Sequence, residues 1–237
     1  MKYGKVSFLC LTLLFFIPGT GQSEVDGTWG MGVVANYEVP LFALNSWFPS
    51  GGINVGASIV NAKNATWTFE LDGQYTKYNS GDLEKRSFLF GGDGQSYNSP
   101  NANSEMVWAS LSANFLYHFN RGGEKLESGG GAPYLLIGAG FYHFKNKMSG
   151  LIYPGQSGTT IDPNVLLRPA EDVRTEPGVS LGFGIEYFAS QSVAIDIRGQ
   201  YHIIWGETRS MEAWGLEKAY PFHKFNGGAR IKFYFAN

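Results

Sequence analysis

Residues 181–205 read LGFGIEYFASQSVAIDIRGQYHIIW, from Leu181 to Trp205. Leu181, Phe183, Ile185 and Tyr187 alternate with Gly182, Gly184 and Glu186. Past a short break at Ala189–Ser192, Val193, Ile195, Ile197, Tyr201 and Ile203 alternate with Ala194, Asp196, Arg198, Gln200 and His202. Alternation of period two over this length makes strands with two chemically different faces. The break is so short that the two strands must pair as an antiparallel hairpin. One face is apolar and aromatic; the other carries an acid, a base, an amide and an imidazole. Which face meets water decides the architecture.

Outward from this hairpin the same pattern recurs at Thr28–Glu38, Gly52–Asn61, Thr66–Tyr78, Glu105–Phe119, Ala132–Phe144 and His223–Phe235. With the hairpin that makes eight strands. Their connections are Val39–Gly51, Ala62–Ala65, Asn79–Ser104, Asn120–Gly131, Lys145–Pro177, Ala189–Ser192 and Gly206–Phe222, so long and short links largely alternate. In a sheet of sequentially paired strands, alternate links emerge at opposite ends. One end therefore bears long loops and the other short turns, with glycine-rich Asn120–Gly131 as an excursion. Short turns at one end and long loops at the other mark transmembrane barrels.

The first residues stand apart from this pattern. Lys2 and Lys5 precede an apolar run from Val6 to Ile17, and small residues follow at Pro18–Ser23. That is the order of a secretory signal peptide, with cleavage expected after residue 21–23 and a barrel domain over residues 24–237. The apolar run falls short of the about 20 residues that a spanning helix needs. The chain's single cysteine, Cys10, lies inside it, so the mature domain is expected to have no disulfide and no thiolate metal site. Without Lys2 and Lys5 there remain 16 basic and 20 acidic residues, a net charge of −4 that argues against nucleic-acid binding.

Lipocalin-like soluble barrels turn the apolar face inward, and membrane barrels turn it to lipid. Three features favour lipid. Only 16% of residues are charged, and the polar faces are mainly Ser, Thr, Gly, Gln and Asn, too mild for a soluble exterior. Lipid cannot satisfy backbone groups, which leaves closed barrels as the only spanning β structures. Aromatic residues also gather at strand ends: Trp67, Tyr117, Phe119, Tyr187 and Phe235 toward the short turns, Tyr37, Tyr75, Tyr142 and Trp205 toward the long loops. Two such girdles mark the two interfaces of a bilayer.

An eight-stranded barrel has an interior that side chains just fill. The inward acids would be Glu70, Asp72, Glu186 and Asp196, and the inward bases Arg198, Lys224, Arg230 and Lys232. Four against four balances, and buried charges must be paired. The expectation is a salt-bridged lumen, with Gly138, Gly140, Gly182 and Gly184 making room for Arg198 and its partners.

Several stretches carry a resemblance: Pro133-Tyr134-Leu135 leading to Gly138-Ala139-Gly140, Gly182–Tyr187, Val193–Arg198, and the closing Gly228–Phe235. They resemble the small outer-membrane β-barrel domains of Gram-negative bacteria, similar to OmpA's membrane domain and OmpX. The resemblance implies an eight-stranded antiparallel up-and-down transmembrane barrel in the outer membrane. It implies an aromatic last strand read by the barrel-insertion machinery, although here Ala236 and Asn237 follow Phe235. Peptidoglycan anchoring by a downstream domain is not implied.

Some eight-stranded outer-membrane proteins modify lipid A. His202 and Glu207 lie near one rim, but no His-x-Ser pairing is present. The scattered His118, His143 and His223 have no ligand spacing. Asp162-Pro163-Asn164 and Glu171-Asp172 read as a solvated acidic loop rather than a Ca²⁺ site. The sequence thus predicts no catalytic group, cofactor or metal. Its role is expected to be structural, surface-interacting or a narrow channel. Its partners would be outer-membrane lipid and lipopolysaccharide, with an extracellular ligand at the long loops. Exposed apolar residues are expected there: Leu41, Phe42, Trp47 and Phe48 in the first loop, Leu151, Ile152 and Tyr153 in the third. A lipid A-modifying enzyme and a soluble lipocalin-like carrier stand as the alternatives.

Overall fold

In the computed structural model, described for residues 27–79, 81–119, 121 and 129–235, the opening hairpin is the wall between two neighbours in a closed barrel. The strands are β1 (Thr28–Leu41), β2 (Gly52–Ala62), β3 (Trp67–Asn79), the short β4 (Ser87–Leu89) and β5 (Ser96–Asn98), β6 (Asn103–His118), β7 (Gly131–Ser149), β8 (Ala170–Phe188), β9 (Val193–Ile204) and β10 (Phe222–Tyr234). The barrel closes in the order β1-β10-β9-β8-β7-β6-β3-β2, with β4 and β5 as a separate hairpin. All neighbouring pairs are antiparallel, and β1 meets β10 from Gly30↔Tyr234 to Leu41↔His223. A closed ring leaves no strand edge unpaired along the shared span, as hydrocarbon requires. The barrel strands are 11 to 19 residues long, at or beyond the about 9–11 needed to cross a bilayer at a tilt.

The register sets side chains of one parity inward and the other outward. Val33, Ile53, Leu111, Ile137, Phe141, Phe183 and Ile197 stand on the outside and are all exposed. Trp29, Trp67, Tyr117, Phe119, Tyr187 and Phe235 ring the short-turn end, and Tyr37, Tyr75 and Trp205 the long-loop end. Tyr142, expected in that outer ring, instead points inward and is buried, because it shares the parity of Gly138 and Gly140. An apolar belt between two aromatic rings matches a hydrocarbon layer and its two interfaces.

Two turns are held by side chains that accept backbone N–H bonds. Asn64 Oδ1 accepts from Thr66 and Trp67, and Ser190 Oγ from Ser192 and Val193. The predicted loop Lys145–Pro177 is shorter than expected, since β7 runs to Ser149 and β8 begins at Ala170. Pro177, the last residue of that predicted loop, lies inside β8. Its carbonyl accepts from Trp205 N at the end of β9, so its missing N–H points toward the side where β9 stops and costs the β7 ladder nothing.

Residues 120 and 122–128 of the predicted excursion Asn120–Gly131 lie outside the described residues, as does the predicted signal peptide.

Candidate functional site

The interior is organised in three levels. At the middle, Glu70 on β3 accepts from Arg198 Nη1 at 2.6 Å and Nη2 at 3.0 Å, and from Arg230 Nη1 at 3.1 Å. Lys232 stands 3.6 Å from the same carboxylate. Asp196 takes Arg198 at 2.8 Å and Lys232 at 2.9 Å, and Asp72 takes Arg230 at 2.7 Å. Tyr134 joins the two halves: its hydroxyl accepts from Arg198 Nε at 2.7 Å and donates to Asp196 at 2.5 Å. Of the glycines expected to make room for Arg198, Gly138 lies against Asn114 and Ser180, Gly140 against Ser112, Gly182 against Gln200 and Gly184 against Tyr134, so none of them borders the guanidinium directly. A methyl group on Gly184 would run into the Tyr134 ring, and one on Gly178 into Tyr142.

Toward the short turns, Glu186 accepts from Arg121 at 2.9 Å and from the Tyr234 hydroxyl, with Lys232 at 3.3 Å. Arg121 also donates to Thr68 at 2.7 Å and lies 5.8 Å from the rings of both Phe188 and Tyr234. It enters from the second turn and closes that end of the barrel. Val60, Ala62, Ala132, Phe188, Ala194 and Tyr234 pack around it as a small apolar floor.

Toward the long loops, Lys224 pairs with Glu38 at 3.0 Å and lies 4.6 Å from the centre of the Trp108 ring. Glu38 also accepts from the Tyr78 hydroxyl at 2.5 Å. His202 bonds Tyr142 at 2.9 Å and Asn226 Nδ2 at 3.0 Å. Since Asn226 Nδ2 can only donate, His202 Nε2 accepts and Nδ1 carries the proton toward Tyr142.

The eight predicted charges Glu70, Asp72, Glu186, Asp196, Arg198, Lys224, Arg230 and Lys232 are thus all buried in the lumen. Seven of them, without Lys224, interconnect with Arg121 through the middle and lower levels, and Lys224 joins Glu38 in a separate upper pair. Glu38 and Arg121 were missed. Glu38 has the inward parity of Val34 and Asn36 on β1, so the alternation already carried the signal. Arg121 belongs to a turn with no period, and no local pattern announces that it folds back into the barrel.

Above the upper level the mouth is filled by loops. Helix α1 (Ala43–Trp47) brings in Leu44 and Trp47. They pack with Phe48, Leu83, Phe88, Phe90, Leu151, Ile152, Trp214 and Leu216 over Met106, Trp108, Phe144 and Phe222 of the barrel. Trp47 Nε1 donates to Glu217 O at 2.9 Å, tying the first loop to the fourth. Trp47, Phe48, Leu151 and Ile152, expected as exposed apolar loop residues, are therefore buried in a shared cap, and Leu41 is half-buried. Phe42 and Tyr153 remain exposed.

Other sequence candidates are not brought together. Glu207 is half-buried at the rim and pairs with Lys218 and Arg174, whereas the ring of His202 bonds Tyr142 and Asn226. His118 bonds Thr68, His143 bonds Thr175 on the outer wall, and His223 bonds Tyr201. Asp162 closes a local turn on Asn164, whereas Glu171 pairs with Lys145 and Asp172 with Arg174. Among the described residues no group of three or more His, Cys, Asp or Glu is placed to hold a metal.

An apolar outer wall around an ion-paired lumen inverts the plan of a soluble protein. The architecture is that of the small eight-stranded outer-membrane barrels. No family model matches the chain, and no curated protein matches it. Among solved structures the barrel is similar to neisserial surface protein A, at 14% identity and a TM-score of 0.46, covering 91% of this chain and 100% of that one. It is similar to the outer membrane protein OprG of Pseudomonas aeruginosa at 11% identity and a TM-score of 0.48, covering 90% and 98%. Ail, the attachment invasion locus protein of Yersinia pestis, matches at 14% identity and a TM-score of 0.43, covering 88% and 99%.

Proposed function

We propose that this chain is a sealed barrel of a Gram-negative outer membrane whose role is to hold four long loops as one rigid surface outside the cell. The observation that carries this reading is the closure at every level: the Arg121 floor, the ion-paired middle, and the apolar cap. A salt-bridged lumen resists water columns because each charge already has a partner of opposite sign. The cap and the barrel side chains beneath it form one cluster of twenty buried apolar and aromatic residues across the mouth, twelve of them from the loops, and opening it would expose that surface to water.

In this orientation the apolar belt meets outer-membrane lipid, the aromatic strand β10 is the segment read by the insertion machinery, and the loops face an extracellular partner. The reading assigns no catalytic group, because His202 has Tyr142 and Asn226 as its partners and no carboxylate at its ring.

The test is conductance in planar bilayers of barrel refolded into lipid, with folding checked by heat-modifiable gel migration. The expected result is a folded species without steady conductance. A large, steady conductance from the folded species would sink the proposal. A lipid A mass spectrum that changes on expression of the wild type but not of His202→Ala would restore the enzyme reading.

A further inference from the structure

Near the long-loop end, the outer wall carries a groove of about 450 Å³ on strand β2. Its floor is Ile53 and Val55, its sides are Tyr37 from β1 and Tyr75 from β3, and Lys77 stands at its upper end beside Gly52. The Tyr37 hydroxyl is tied back to the Ser50 carbonyl, which holds that side of the groove in place. The groove is thus apolar toward the middle of the belt and cationic toward the loops.

Lys77 is the first rung of a charged ladder on the outside of β3, β6, β7 and β8. Lys77 pairs with Glu105 at 2.8 Å, and Glu171 pairs with Lys145 at 2.6 Å and Lys147 at 3.9 Å. Glu105 also stands opposite Lys147 in the register. Three ammonium groups therefore share two carboxylates, and all five side chains are partly open to solvent. The ladder lies just beyond Tyr75 and His143 along the strands, at the level where a bilayer changes from hydrocarbon to headgroup.

We infer that this groove seats one lipid A molecule of the outer leaflet, with an acyl chain on Ile53 and Val55 between the two phenol rings and a phosphate at Lys77. The chemistry asks for both parts. An alkyl chain alone has no use for Lys77, and a free phosphate has none for the apolar floor. The surplus of positive charge along the ladder favours an anionic head. The choice of lipid A over a phospholipid rests on the orientation proposed above, which puts this end in the leaflet of phosphorylated glycolipid.

The test is native mass spectrometry of the refolded, detergent-solubilised barrel titrated with lipid A, with dephosphorylated lipid A and with phosphatidylglycerol. Wild type should retain one lipid A. Lys77→Ala and the groove-filling Ile53→Trp should each weaken retention by about tenfold, the scale of one lost charge-assisted contact or one blocked chain. Lys63→Ala, at the opposite end of the same wall, should leave it unchanged. Equal retention by Lys77→Ala and Ile53→Trp would overturn the inference, as would equal binding of dephosphorylated lipid A or of phosphatidylglycerol. A barrel that folds with heat-modifiable migration but retains no lipid A removes this site and leaves the barrel reading standing. A chain that fails to fold into lipid removes both.

Discussion

Glu70 faces three cations at once, Arg198, Arg230 and Lys232, with its carboxylate fully removed from solvent. Deleting it strands positive charge where water cannot reach. Glu70→Ala should therefore cost about 3–5 kcal/mol, the scale of breaking a buried pair by removing one partner. The midpoint and slope of urea unfolding in lipid vesicles measure this, and a loss below about 1 kcal/mol would mean that water already enters the lumen. Tyr134 makes the second residue-scale prediction. Gly184→Ala would force its ring out of place and should cost about 1–3 kcal/mol, as overpacking does. In a Tyr134→Ala background most of that cost should disappear. If it persists, the clash is with the β9 backbone at Ile197 O rather than with the ring.

Strand β8 shows how an element can be half legible. From Leu181 to Tyr187 its alternation is clean, and its pairing with β9 follows from the short turn. From Ala170 to Glu176 it reads AEDVRTE, polar on both faces with no apolar period, beside a proline, and pairs with β7 alone. That stretch rises past the end of β9, so its outward side chains meet water rather than lipid. Arginine should therefore be tolerated differently along one wall. Ile197→Arg, within the belt, should cost about 2–4 kcal/mol, and Val173→Arg, on the rising part of β8, about 0–1 kcal/mol. Equal costs from urea unfolding in vesicles would contradict the placement of the bilayer.

The fourth loop adds a pH dependence at the same scale. A hydrogen bond from Lys218, supported by Arg174, holds the Glu207 carboxyl below the usual carboxylate range. A depressed carboxyl contributes its pairing at neutral pH and loses it as pH falls through that lowered value. Hydrogen exchange of residues 206–219 should therefore lose protection on moving from neutral pH to about pH 3, after correction for intrinsic rates. Glu207→Gln should show the same loss at neutral pH while the barrel strands keep their protection. Unchanged protection in the variant would mean that the loop is held by Trp214 and Leu216 in the cap instead.

At the scale of the whole molecule, the inward parity of β3, β8, β9 and β10 named eight of the charges that the structure buries in the lumen. The same parity on β1 also contained Glu38, which was there to be read beside Asn36. Parity placed Tyr142 inside as well, against the expectation that it joins the outer ring. The pairing partners were not legible. Which cation faces Glu70 depends on the stagger of eight strands around the ring, a property of closure rather than of any one strand.

What the amino-acid order by itself determined was the number of barrel strands, though not the β4–β5 hairpin, their two faces and the end that carries long loops. Each follows from local alternation and turn length, which act over a few residues. Only the tertiary structure decided that the loops fold inward as an apolar cap, that Arg121 returns to close the other end, and that two tyrosines flank a groove beside Lys77. Those features join residues far apart in the chain and irregular in pattern. They exist because a closed ring brings its ends and its rims together, and a sequence without periodicity gives no local sign of which rim its side chains will meet.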